Sequence, residues 1–228
     1  MKPYDLIDNI AEKALVKFTR GINVPQIIVG PPGSSKSACV KQAVEKLIKD
    51  TGETWEHRGF NATLRLPTDL SGIPVPNRKL KITDWYDPGF LPREGKGILC
   101  FDDLLTAPPA IQNPLLELFL EMKLNDYKLP KGWYVIATTN RLEDKSNVQR
   151  LNRALGNRLM HIDIEISHTD TEKYWFSKGI EFDVIAYACR YSPSDLYVFD
   201  SSRQDYRFPS LRSWHRVSDL LQIPVPQN

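Results

Sequence analysis

Gln26-Ile27-Ile28-Val29 runs straight into Gly30-Pro31-Pro32-Gly33-Ser34-Ser35-Lys36-Ser37, and a helical pattern follows from Ser35 to about Lys49. The first four residues have the length and composition of a buried strand. The turn after them is too rich in Gly and Pro to continue it. Val40, Val44, Leu47 and Ile48 then recur on one side of a helix. A loop between a buried strand and a helix N-terminus points backbone N–H groups at an anion, and the helix dipole adds positive potential. Gly30, Pro31, Pro32, Gly33, Ser34, Ser35, Lys36, Ser37 and Ala38 would form the cradle, with Lys36 reaching the β- and γ-phosphates and Ser37 Oγ on Mg²⁺. The strict G-x4-G-K-[ST] spacing fails at one place, where Ser35 stands for the expected glycine. Serine is small and the backbone donors remain, so the loop reads as a tolerated variant.

A second segment agrees with the first. Ile98-Leu99-Cys100-Phe101-Asp102-Asp103 is an apolar run ending in two carboxylates. An acid at the tip of a neighbouring strand is where a phosphate-loop enzyme holds its Mg²⁺, and that role falls to Asp102. Asp103 is placed to orient or deprotonate an attacking water. The alternative for the pair is a cap on the next helix. Trp133 to Ala137 and Leu159 to Ile164 read as further buried strands, and another is expected between Trp55 and Phe60. Ile7, Ile10, Ala14 and Phe18 recur at helical spacing and predict an amphipathic helix ending near Gly21. Apolar runs alternating with helical patterns give the fold class: α/β, a parallel phosphate-loop NTPase sheet flanked by helices. After about Ile166 the strands stop. The chain therefore divides into an α/β core over 1–166 and a small helical lid over 167–228, with irregular, Pro-rich sequence from about Thr63 to Lys96 and a short hairpin over Leu124 to Pro130.

Composition excludes several classes. The chain has 228 residues, 30 basic and 28 acidic side chains, and a net charge of +2; 41% of it is hydrophobic and 25% charged. Those values fit a globular protein and disfavour disorder. No apolar run approaches the roughly 20 residues that cross a bilayer, and the N-terminal stretch carries acids unlike a secretory signal. Near-neutral charge disfavours a protein whose main work is coating nucleic acid, although a basic patch such as Arg78 to Lys81 leaves nucleic acid open. Three widely spaced cysteines (Cys39, Cys100, Cys189) read as small buried hydrophobes in a reducing cytosol, bacterial or that of a viral host. The four histidines lack paired-ligand spacing, which argues against a structural zinc.

GPPGSSKS, ILCFDD, VIATTN, LNRALGNRLMHIDIE and FPSLRSW occur in an order and at spacings similar to those of AAA+ ATPases. DLSGIPVPN, WYDPGFLP and APPAIQNPLLELFLE most closely resemble the MoxR-like branch, and the resemblance runs from about Ile22 to Leu221. The resemblance implies that Asn140 is sensor 1, which helps place the lytic water. It makes Arg158 the arginine finger acting in a neighbouring subunit, with Arg150 and Arg153 as rivals on the same element. It makes Arg212 sensor 2, contacting nucleotide from the lid. Read without the resemblance, Asn140 is a turn asparagine and the arginines are solvated. Leu70 to Leu91 matches a β-hairpin insertion and Asn125 to Lys131 a pre-sensor hairpin, both candidates for partner contact. Leu64, Ile73, Val75, Trp85 and Tyr86 are expected to be largely buried.

What the resemblance implies is a homo-oligomeric ring, hexameric, that uses ATP and Mg²⁺ to remodel a protein partner. A von Willebrand A domain protein is the partner type such relatives suggest. A chain ending soon after sensor 2 is expected to be a minimal viral or mobile-element member, or a fragment. Asp103 departs from the usual Asp-Glu pair by one methylene, which leaves open a slow nucleotide-gated scaffold. A nucleic-acid motor or loader is the third reading.

Overall fold

A computed structural model describes residues 1–144, 148, 156–190, 196–202 and 207–223. Five strands form one parallel sheet: β1 (Gln26–Val29), β2 (Glu56–Asn61), β5 (Lys96–Asp102), β8 (Gly132–Thr139) and β9 (Met160–Asp163), in the order β2-β5-β8-β1-β9. β1 lies between β8 and β9, pairing Val29 with Thr139 and with Asp163. The inner strands are buried on both faces, so they read as continuous apolar runs rather than as alternation. Successive residues still point to opposite sides. Ile27, Leu99, Phe101 and Val135 enter a core closed by Ile111, Leu115, Leu118 and Phe119 of α4 (Pro109–Glu121). Ile28, Ile98, Cys100 and Ile136 enter a second core, on the other face, closed by α1 (Pro3–Arg20) and α2 (Lys36–Thr51).

Helix ends follow the local chemistry. Proline opens α1 and Gly21 closes it in the left-handed conformation at φ 71°, donating its N–H to Lys17 O. Leu6, Ile7, Ile10 and Ala14 of α1 meet Val40, Val44 and Leu47 of α2. The expected stripes overshoot at their ends. Phe18 is half exposed, edge-on to Trp55 with ring centroids 5.6 Å apart, and Ile48 is exposed.

The irregular stretch is more ordered than its prolines suggest. It holds α3 (Pro67–Ser71) and an antiparallel hairpin of β3 (Ile73–Asn77) and β4 (Ile82–Tyr86), with Ile73 opposite Tyr86 and Asn77 opposite Ile82. The expectation of burial is corrected here. Leu64, Ile73, Trp85 and Tyr86 are exposed and Val75 is only half-buried, because the hairpin stands off the sheet and nothing among the described residues covers it. A second, shorter hairpin joins β6 (Lys123–Leu124) to β7 (Tyr127–Lys128) where the sequence places one. After β9 come α5 (His168–Lys178), α6 (Phe182–Arg190) and α7 (Leu211–Leu221), packed on a third core of Trp175, Val184, Ile185, Leu196 and Leu211.

Leu99→Ala, in the middle of β5, is expected to lower the unfolding free energy by about 2–5 kcal/mol. Ile73→Ala and Tyr86→Ala on the hairpin should each change it by less than about 0.5 kcal/mol in the same urea titration. A large loss at either hairpin position would contradict the exposed placement.

Candidate functional site

Parallel strands leave their carboxyl ends on one edge of the sheet, and ligands of open α/β sheets bind outside those ends. Here that edge carries Gly30 after β1, Asp102 and Asp103 at the end of β5, and Asn140 after β8. Gly30 donates its N–H to Thr139 O at 3.2 Å, and a Cβ on it would lie 2.2 Å from Ile164 Cγ2, so no side chain fits. Ser35 caps α2 at φ 67°, ψ 20°, in the left-handed region, without a side-chain cap bond. That conformation explains why the strict motif has glycine at this position; serine holds it at a cost of about 1–2 kcal/mol.

Lys36 is buried, and its Nζ donates to Gly30 O, Pro31 O and Asn140 Oδ1, each at 2.9 Å. Burial pulls its pKa down to about 8, against the opposing pull of Asp103, Asp144 and Asp102. Ser37 Oγ donates to Asp102 Oδ1 at 2.6 Å, and Thr138 Oγ1 donates to the same oxygen at 2.7 Å. Asp103 sits at φ 55° and makes no side-chain cap bond, so the helix-cap alternative for the acid pair fails. Its carboxyl is raised above the usual range, chiefly by burial.

No family model matches the chain, and no curated protein does. Among solved structures it is similar to a candidate ATPase from Cytophaga hutchinsonii, at 16% identity and a TM-score of 0.52, over 95% of this chain and 62% of that one. It is also similar to NtrX from Brucella abortus, at 15% identity and a TM-score of 0.53, over 99% of this chain and 51% of that one. The chain shares the fold of these two structures, a parallel five-stranded sheet flanked by helices. It spans between half and two thirds of the length of these two proteins. At such identities the likeness concerns the fold, and the chemistry rests on the residues themselves.

In this fold a cavity of about 390 Å³ opens beside the loop. Pro32, Gly33, Ser35, Lys36, Ser37, Ala38, Asp103, Asn140 and, from α7, Arg212 all line it, whereas Gly30, Pro31, Ser34 and Asp102 of the sequence-derived set lie behind that lining. The charge of Arg212 is felt at both Lys36 and Asp103. Ser34 Oγ is buried with no hydrogen-bond partner among the described residues, an orphan that a phosphate oxygen would satisfy. A hydroxyl and a single carboxylate, Ser37 and Asp102, suit Mg²⁺, which keeps waters and phosphate oxygens for its remaining positions. Among the described residues there is no cluster of three or more His, Cys, Asp or Glu side chains of the kind that cages a metal by itself.

Arg158 stands apart from this set. It is exposed in the turn before β9, whose Met160 pairs with Gln26 at the amino end of β1, the edge of the sheet opposite the loop. Its rivals Arg150 and Arg153 lie outside the described residues. Several lining residues carry no motif: Pro3, Tyr4 and Ile7 from α1, Asp170, Tyr174 and Trp175 from α5, and His215 from α7. Tyr197 touches the loop from outside the cavity, its hydroxyl donating to Pro32 O at 2.6 Å. No local pattern marks them, since they meet only where α5 and α7 come together with α1.

Ser35→Gly is expected to raise stability by about 0.5 kcal/mol, the relief of left-handed strain exceeding the entropy glycine adds to the unfolded chain. The check is the urea midpoint at unchanged m-value; a lower midpoint would show that the serine side chain contributes something glycine loses.

Proposed function

We propose that the chain binds and hydrolyses Mg–ATP as a homo-oligomeric ring, hexameric as in MoxR-like proteins, and uses the cycle to remodel a protein partner. The observation that carries this is the convergence of Lys36, Ser37, Asp103, Asn140 and Arg212 on one strand-end cavity, with Asp102 hydrogen-bonded to Ser37 behind it. Lys36 is positioned to hold the β- and γ-phosphates, since a pKa near 8 keeps most of it charged at neutral pH. Ser37 and Asp102 would hold Mg²⁺, which supplies charge neutralisation on the phosphates. Asp103 orients the attacking water and accepts its proton, and its raised pKa favours that uptake. Asn140, fixed to Lys36, helps place the same water. Arg212 would close on the nucleotide from the lid, residues 167–228, over the core of residues 1–166.

Arg158 supports the ring. It is exposed on the far edge from its own cavity, where it is available to the cavity of a second copy. The exposed β3–β4 hairpin and the β6–β7 hairpin are the surfaces we assign to the partner, a von Willebrand A domain protein on the resemblance to MoxR-like proteins. We place the chain in the cytoplasm, of a bacterium or a viral host; no helix among the described residues is long and apolar enough to cross a membrane. A second reading, a slow nucleotide-gated scaffold, is favoured by one observation: Asp103 is a short acid on a left-handed backbone. A nucleic-acid motor is the third reading, resting on the basic hairpin tip Arg78 to Lys81.

Phosphate release from Mg–ATP over a range of protein concentrations tests the proposal. Specific activity should climb with concentration and vanish in Lys36→Ala. Arg158→Ala should lose roughly 10³-fold or more, as fingers elsewhere do. Absence of turnover from folded wild-type protein that still binds ATP would favour the scaffold, and Asp103→Glu should then raise the rate. Stimulation by DNA rather than by a protein would favour the motor.

A further inference from the structure

The β3–β4 hairpin is a sheet of its own, and among the described residues no strand lies beyond β3 or beyond β4. Its register pairs Ile73 with Tyr86, Val75 with Asp84 and Asn77 with Ile82, and sets Pro74 opposite Trp85 and Pro76 opposite Thr83. Proline has no N–H to give a ladder, so the bonded pairs are those of Ile73, Val75 and Asn77. Pro74 and Pro76 turn outward and leave the free edge of β3 with carbonyls and no donors. The free edge of β4 is complete. Thr83 and Trp85 turn both N–H and C=O outward, and neither N–H has a partner among the described residues.

The tip that joins the strands is ordered and cationic. Asn77 Oδ1 accepts the N–H groups of Lys79 and Leu80 at 3.2 and 3.1 Å, and Asn77 Nδ2 donates to Asp84 Oδ2 at 2.9 Å. Arg78, Lys79 and Lys81 are exposed, and none of them makes an ion pair among the described residues. Ile82 and Tyr86 share one face of β4, and both are exposed. An edge with free donors and acceptors, an apolar face and cations at one end is complementary to an extended segment with acids at the matching end.

We infer that the outer edge of β4 takes an extended segment of a partner protein as a third, antiparallel strand, with carboxylates at the C-terminal end of that segment. The inference rests on the assignment of this hairpin to a protein partner and names how the partner is held. Antiparallel addition continues the pairing that β3 already makes, and it is the more stable ladder. β4 runs from the tip to the base, so the added strand runs from base to tip and ends beside Arg78, Lys79 and Lys81. Thr83 and Trp85 exchange N–H···O bonds with it, and its side chains beside Ile82 and Tyr86 are apolar. A second copy of β4 fits less well. In the register centred on the strand it sets Asp84 against Asp84, and like charges directly opposite are destabilising.

Fluorescence anisotropy with a labelled Ser-Thr-Val-Thr-Val-Thr-Glu-Glu peptide is the test, beside the same peptide ending in Lys-Lys and versions N-methylated at one or the other set of alternate residues. The acid-ended peptide should bind about tenfold more tightly than the lysine-ended one, and added salt should shrink the difference. Methylation of one alternate set should weaken binding about tenfold, and methylation of the other should leave it unchanged, because only alternate N–H groups of an added strand face β4. Thr83→Pro removes an outward donor and no ladder bond, so it should bind roughly tenfold more weakly. Thr83→Val keeps the donor and should match wild type. Equal effects of the two methylated sets, or a Thr83→Pro variant that binds as wild type while Arg78→Glu binds more weakly, would overturn strand addition and leave the hairpin as a partner surface. Self-association of the wild-type protein that Thr83→Pro abolishes would overturn the inference in favour of a second copy. A folded wild-type protein that binds none of the peptides would overturn the inference and the assignment of the hairpin to a protein together, and a single-stranded oligonucleotide held there instead would give the surface to nucleic acid.

Discussion

Lys36 carries its ammonium to 8% exposure, and the oxygens around it come from two strand ends: Gly30 and Pro31 after β1, and Asn140 after β8. A buried ammonium left without such partners would be strongly unfavourable, so the three bonds fix the loop against the neighbouring strand. Asp102 does the same one strand further along, collecting Ser37 from the start of α2 and Thr138 from β8 on a single oxygen. The register of β1, β5 and β8, the start of α2 and the shape of the loop are tied together by these two charged groups. Burial lowers the Lys36 pKa toward 8 without neutralising it at pH 7, so the site keeps its positive charge where a phosphate would arrive.

Two residues on this edge, Ser35 and Asp103, hold left-handed backbone that non-glycine residues rarely adopt, at φ 67° and 55°. Aspartate tolerates that region better than glutamate, because its short polar side chain bonds locally. The same backbone that turns the chain sharply after β5 therefore also favours the shorter acid at 103. Reach toward a water is traded against backbone comfort at that position, and the departure from an Asp-Glu pair has a conformational cause as well as a chemical consequence.

The loop and the acid pair were legible because each is contiguous: a strand, a turn and the residues that follow it appear together in sequence. The order of strands was legible only as a class, since apolar runs such as Ile98 to Phe101 do not state their neighbours. Asp170, Tyr174 and Trp175 were not legible. Their spacing reads as an ordinary amphipathic helix, and their chemistry exists only where α5 meets Tyr4 at the other end of the chain. The hairpin itself stands where it was expected, within Leu70 to Leu91, but the burial of its apolar residues was misread for the opposite reason. Ile73, Val75, Trp85 and Tyr86 look like core by composition, but Val75 pairs with Asp84 and the two strands project from the sheet. Apolar character predicts a need for cover without saying that the same chain provides it.

The C-terminal helices are not a loose appendage to the loop. Tyr197 donates its hydroxyl to Pro32 O, and a Cβ built on Gly33 would meet Ser210 Cβ at 3.1 Å, so this part of the chain touches two adjacent residues of the loop. The Tyr4 N–H donates to Asp170, which links α5 to α1 beside the same cavity. A group that fills the cavity therefore touches surfaces from α1, the loop and the C-terminal helices at once, and its binding energy depends on how those three are placed. A ligand can shift these helices only by as much as it binds one placement better than another. Contacts on both sides of the cavity supply that difference, whereas a ligand held by the loop alone would bind equally well with the helices in any position.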